Sequence, residues 1–191
     1  MEPARSRLAV PGDLGDGLRR VAGKGAPTPG IYVLLAGLAD AAPIPTGRLG
    51  VVTYSEGWYA YVGSALGGLS ARLRHHLRPH RRLHWHIDYL LTRATLESIV
   101  AARTHEHLEC RLAACLAGQF SVWPGFGASD CRCRGHLFHC QARTSLLEGA
   151  LFAIRAVGCE PEVVRAGGAS IAVAQASRRR LRHGQDGSAS T

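Results

Sequence analysis

Residues 61–76 read YVGSALGGLSARLRHH, and a change of period inside this stretch decides the fold. Up to Ser64 the run is β-favouring. Past the Gly67-Gly68 pair, Leu69, Leu73 and Leu77 recur at i, i+4 and i+8, which marks one buried face of a helix that must stop near Pro79. A glycine turn opening a helix aims backbone N–H groups and the positive end of the helix dipole at an anion. A nucleotide P-loop is nevertheless excluded. Its second glycine must be followed by Lys and then Ser or Thr, whereas Gly63-x-x-x-x-Gly68 is followed by Leu69. The spacing is not that of a dinucleotide-binding turn either. The helix side chains therefore carry the interest: Arg72 and His76 are four apart and share a second face.

Outward from this junction, GIYVLLAGL from Gly30 is a short apolar run suited to a strand. GRLGVVTYSEG reads as a second strand and WYAYVG as a third, with Glu56-Gly57 as the hairpin turn between them, which predicts an antiparallel meander. HWHIDYLLTRA alternates, with His84, His86 and Asp88 on one side and Trp85, Ile87 and Tyr89 on the other. It predicts a strand, followed by LESIVAA as another. EHLECRLAACLAG predicts the second clear helix, because Leu108, Leu112, Cys115 and Leu116 form an apolar stripe, with Glu109 beside it and Gly118 as the stop. One further helix, SLLEGALFAIRAV, and a short β-like piece follow a loop. The fold class is α/β, a small central antiparallel or mixed sheet flanked by helices. The predicted organisation is a flexible arm over residues 1–29, one domain over 30–140, and a C-terminal extension over 141–191 with a basic, partly disordered tail.

At 191 residues the chain fits one domain with appendages. Its formal charge is +9, and every basic residue except Lys24 is Arg. Arg presents a planar fork to phosphate, so this balance favours a nucleic-acid partner over a neutral metabolite. Between Gly57 and Ile87 there is no Asp or Glu, while Arg72, Arg74, Arg78, Arg81 and Arg82 are joined by five histidines. Such a surface should follow a phosphate backbone and position it without reading sequence. The N-terminus has no apolar leader segment and no stretch is long enough to span a bilayer, so a cytoplasmic protein is expected, with no membrane partner. In a reducing compartment six cysteines are free thiols or metal ligands rather than disulfides.

GIY at residues 30–32 and YVG at 61–63, followed by Arg72 and His76 on the first helix and Glu109 on a later one, resemble the GIY-YIG nuclease superfamily. GSA, HWHIDYLL, EC and GFGASDCRCRGHLF follow in the order of a small branch of that superfamily, sometimes joined to an endonuclease III-type glycosylase. The resemblance spans residues 30–140. It implies a divalent-metal-dependent endonuclease that hydrolyses phosphodiester bonds in DNA, selects structure rather than sequence, and serves DNA repair. Glu109 would ligate one Mg²⁺ or Mn²⁺. Arg72 would clamp the scissile phosphate with two charge-assisted hydrogen bonds. Tyr32 would touch the attacking water, His76 would take the proton from Tyr32 or from water, Tyr61 would hold phosphate or water in line, and Gly63 would let the backbone bend into the site. Arg74, Arg78, Arg81 and Arg82 would bind the nucleic acid. The chain contains no Asn. The late Asn of some homing enzymes therefore has no counterpart, and His84 and Asp88 are the candidates for its place.

Two readings compete with a DNA nuclease: a binding module of the same fold without turnover, and a nuclease acting on RNA. Nothing in the sequence separates DNA from RNA. Cys131, Cys133 and His136, with Cys110 or Cys140, raise a separate expectation of a structural Zn²⁺, against free thiols in a loop packed by Trp123, Phe126 and Phe138. The other histidines, including His75 and His80, are assigned no role.

Overall fold

The computed structural model describes residues 12–22, 27–78 and 82–166. Strand β1 (Gly30–Leu38) is apolar on both faces and lies at the centre of a six-stranded sheet. Its neighbours are β4 (Gly57–Ser64) and β5 (Thr95–Arg103), with Tyr32 opposite Gly63 on one side and Ala101 on the other. Beyond β4 lie β7 (Leu137–Cys140) and β6 (Ser121–Trp123); beyond β5 lies β8 (Glu162–Arg165). Every pairing is antiparallel. The β2 (Ala42–Pro45) and β3 (Val51–Tyr54) strands form a separate two-stranded ribbon.

The two-residue period of β1 divides the interior. Tyr32, Leu34 and Ala36 join a core with Leu69 and Leu73 of α2 (Leu69–Leu77) and Ile87 and Leu90 of α3 (His86–Leu90). Ile31, Val33 and Leu35 join a second core with Leu112 and Leu116 of α4 (Glu109–Ala117) and Leu146 and Ile154 of α5 (Arg143–Ala156). Each fully buried Leu or Ile contributes roughly 1.5–3 kcal/mol. The predicted class, an α/β fold with an antiparallel sheet flanked by helices, is the one observed.

Four local expectations differ from the structure. Within residues 1–29, read as an unstructured arm, helix α1 (Gly12–Ala22) forms and packs on β8 and α2. It buries Leu18 and Val21. The Arg103 side chain donates to the Val21 carbonyl at 3.0 Å and to that of Arg20, satisfying carbonyls that a helix end leaves open. The expected meander is interrupted: β1 pairs directly with β4, and β3 turns away to pair with β2. HWHIDYLL is a loop leading into α3 rather than a strand, because the Asp88 carboxylate reaches back to accept from the N–H groups of His84 and Trp85, both at 3.0 Å. Finally, the domain does not end at residue 140. Helix α5 supplies one side of the second core, β8 pairs with β5, and Arg143 on α5 forms an ion pair with Glu97 of β5. The basic tail beyond Ala166 lies outside the described residues.

Candidate active site

Tyr32 of β1 and Tyr61 of β4 project from the same sheet face, with ring centroids 6.5 Å apart. Gly63 makes this possible in a way the sequence reading missed. It does not bend the chain; it lies in the strand opposite Tyr32, and a Cβ there would come within 2.5 Å of the Tyr32 hydroxyl. Gly127, with φ +71°, plays the same part for Tyr61, since its Cβ would lie 2.9 Å from that ring. Its N–H donates to His86 Nδ1 at 3.0 Å.

Both tyrosines line a cleft of about 510 Å³, together with Arg72 of α2 and Glu109 at the start of α4. The Arg72 guanidinium lies 4.0 Å over the Trp85 ring. This cation–π contact holds the fork in place and leaves its N–H edge for an anion. Glu109 is gripped on both oxygens: Ser64 Oγ donates to Oε2 at 2.6 Å, and His136 Nδ1 lies 2.9 Å from Oε1. Burial alone would raise the Glu109 pKa, but the bonds from His136 and Ser64 and the nearby Arg72 charge outweigh it and hold the carboxyl below its usual value.

His76 is absent from the cleft lining and fully buried. It stands behind Tyr32, with Nε2 2.9 Å from the phenol oxygen. On its other side, His76 Nδ1 is 3.5 Å from Asp88 Oδ1, long for a hydrogen bond but close enough for an ionised carboxylate to bias the imidazole proton toward Nδ1. Nε2 then accepts from the Tyr32 hydroxyl. Burial lowers the His76 pKa in spite of Asp88, so the ring is neutral near pH 7. Burial likewise raises Tyr32 well above the ordinary phenol value, and the neighbouring Tyr61 adds to this. For Asp88, burial opposes ionisation, but bonds from His76, the Trp85 and His84 N–H groups and His75 keep it far below the carboxylate range. His75 thus has a place, with Nε2 3.1 Å from both Asp88 oxygens. His75, His76 and Asp88 lie close enough together to chelate an ion, while Tyr32 and the backbone N–H groups engage the outer atoms His76 Nε2 and Asp88 Oδ2.

The structure thus gathers Tyr32, Tyr61, Arg72 and Glu109 at one cleft, with His76 one hydrogen bond behind it. It adds groups that carry no local sequence signal: Arg48, from the turn after β2, and Asp130, from the loop before β7. Glu109 is therefore not the only carboxylate present. Together with Asp130 and the Ser64 hydroxyl it offers the hard oxygen donors that Mg²⁺ and Mn²⁺ prefer. His84 also lines the cleft, whereas Asp88 faces away from it into the relay, so the two do not act from a common face. Arg74, Arg78 and Arg82 are exposed; Arg81 and His80 lie outside the described residues.

A second cluster abuts the first. The ligand atoms of Cys110, Cys131, Cys133 and His136 all lie within 4.8 Å of one another, with Cys131 Sγ 3.5 Å from His136 Nε2. None of the cysteines is in a disulfide. Burial and the neighbouring sulfurs push the Cys133 thiol up to about 12. Four converging thiol and imidazole donors are compatible with a structural metal ion. Cys140 takes no part: it pairs with Trp58 in the β4–β7 ladder. Among the described residues, no helix is long and apolar enough to cross a membrane.

A family model described as Domain of unknown function DUF123 matches residues 31–159. The chain belongs to this family, which is GIY-YIG-like. The match runs through α5, in keeping with the place of that helix in the core. No curated protein and no solved structure matches significantly.

Proposed function

We propose that the protein is a divalent-metal-dependent endonuclease hydrolysing phosphodiester bonds in DNA, of the GIY-YIG branch carrying the HWHIDYLL and GFGxSDCxC strings. The observation that carries this reading is the buried Tyr32–His76–Asp88 line ending at a cleft that also holds an arginine and a carboxylate. A module that only binds phosphate has no use for a neutral, carboxylate-backed imidazole behind a phenol.

The chemistry assigned to the residues is as follows. Water at the cleft floor attacks the phosphorus. Its proton passes to the Tyr32 oxygen as the Tyr32 proton moves to His76 Nε2, so that no phenolate forms, and Asp88 stabilises the resulting imidazolium. Arg72 offsets the charge that develops on the phosphorane oxygens. Tyr61 orients the reactants. Glu109, with Asp130 in the same cleft lining, would hold Mg²⁺ or Mn²⁺, which would supply positive charge to offset the negative charge developing on the phosphate and the leaving group. Arg48 in the cleft lining and the exposed Arg74 and Arg82 would engage the phosphate backbone.

Cys110, Cys131, Cys133 and His136 form, in this reading, a structural zinc site with a borderline-soft S₃N donor set. Analysis of protein purified without chelator should give one zinc per chain; well under one would dispose of it. Cysteines that are metal ligands or thiols rather than disulfides support a cytoplasmic location. A role in DNA repair, with a base-excision partner, rests on the resemblance to domains joined to glycosylases. Nuclease assays on nicked, branched, single-stranded and duplex DNA, with RNA alongside, test the assignment; cleavage of RNA alone would move it to the RNA-acting reading.

A further inference from the structure

Two dipeptides in this chain have the same form. Glu109-Cys110 opens α4 and Asp130-Cys131 sits in the loop before β7. In each, the acid lines the cleft while the adjacent cysteine joins the thiol–imidazole cluster. The two carboxylates of the cleft are thus each one peptide unit from a sulfur of the cluster. A third connection is direct. His136 is almost fully buried, with Nε2 facing Cys131 Sγ at 3.5 Å and Nδ1 facing Glu109 Oε1 at 2.9 Å.

We infer that the thiol–imidazole cluster and the cleft carboxylates form one coupled unit, in which a zinc ion on the cluster sets the affinity of the cleft for its hard divalent cation. The inference rests on the zinc reading above. A metal taken at Nε2 leaves the imidazole hydrogen on Nδ1, where it must be donated to Glu109. The carboxylate is then fixed in rotamer, with Ser64 holding its second oxygen. The same ion ties the first turn of α4 to the loop carrying Asp130, so the separation of the two acids follows from the cluster. Without it, Cys110 and Cys131 belong to separate segments with no covalent link between them.

Coupling of this kind is reciprocal: whatever the zinc contributes to holding Glu109, Glu109 contributes to holding the zinc. Partners hydrogen-bonded to a metal-ligating histidine typically change metal affinity by about 10- to 100-fold. The test uses the full chain and two probes. Zinc affinity is measured by competition with a chromogenic chelator, and Mn²⁺ binding by electron paramagnetic resonance, before and after zinc is stripped. Glu109→Ala should hold zinc about 10- to 100-fold more weakly than wild type, with Glu109→Gln, which keeps the shape and a carbonyl acceptor, falling between. Arg155→Ala, an exposed position on α5 away from both sites, should match wild type. Stripping zinc should weaken Mn²⁺ binding by a similar factor, and adding it back should restore it. Wild-type zinc affinity in both Glu109 variants, with Mn²⁺ binding unchanged on stripping, would overturn the coupling and leave the zinc site standing. A wild-type chain that takes up no zinc at all would overturn the zinc reading itself.

Discussion

The Tyr32 hydroxyl lies 2.9 Å from Nε2 of a His76 that has no access to the cleft. This separates the protein from an enzyme in which histidine meets water directly: any proton that reaches His76 from the cleft must come through Tyr32. Tyr32→Phe and His76→Ala should therefore each lower the cleavage rate by about 10²- to 10⁴-fold, the usual worth of a general base, while leaving nucleic-acid binding intact. The double variant should be no slower than either single one, because the two act as one unit. Additive losses in single-turnover kinetics would show that they act separately.

Asp88 touches no substrate and acts through His76 and the start of α3. Asp88→Asn should slow cleavage and shift the acid limb of the pH–rate profile, since the carboxylate is the group that favours the charged imidazole. A uniform loss of rate with an unmoved profile would indicate a purely structural role.

Stability should fall on acidification in two stages, and the signs follow from the shifts. His76 is held below its ordinary 6.5, so the unfolded chain takes up its proton first, and stability is lost as pH falls below about 6.5 toward the folded value. Asp88 is held below its ordinary 3.8, so its contribution is present above that value and lost as pH falls through the lower folded one. Chemical denaturation at stepped pH should show both stages, and Asp88→Asn should shrink the second to the share of Glu109, which is also held below its usual value.

Gly63→Ala places a methyl group in the space of the Tyr32 ring end. Overpacking of this kind typically costs about 1–3 kcal/mol, and here it also displaces the phenol from His76. Thermal unfolding should show the lower stability, and activity should fall further than stability alone accounts for.

On the nucleic-acid side, Arg74→Ala with Arg82→Ala should weaken binding without changing which structures are preferred. The log–log salt slope should become shallower by about 1 for each phosphate contact removed. Affinity indifferent to ionic strength would count against this surface.

Much of this architecture is legible in the chain because the local signals are long and agree with one another. β1 is an uninterrupted apolar run, α2 and α4 carry leucines at helical spacing, and Tyr32, Tyr61, Arg72, His76 and Glu109 sit at recognisable places within those elements. The failures have specific causes. The alternation of His84, His86 and Asp88 imitates a strand, but a single carboxylate capping two N–H groups makes a five-residue helix more favourable. Ala42–Pro45 is assigned no element from the sequence, since its prolines mask a strand, yet Pro43 and Pro45 both stay exposed on a two-stranded edge, where a missing N–H costs little. Helix α1 is hidden by its glycines, one of which is needed: a Cβ on Gly17 would meet Val164 at 2.7 Å. Arg48, Asp130 and the Ser64 and His136 grip on Glu109 arise only from tertiary contact, for which the sequence offers no spacing to read.

The most direct measurement is cleavage of end-labelled nicked, branched, single-stranded and duplex DNA, and of RNA, by the purified chain with Mg²⁺ or Mn²⁺, with Glu109→Ala and Arg72→Ala as controls. The account predicts that wild type cuts DNA, that Glu109→Ala binds without cutting, and that Arg72→Ala binds DNA but cuts it far more slowly. A wild type that binds every substrate and cuts none, with either metal, would contradict it and leave a binding module on a nuclease fold.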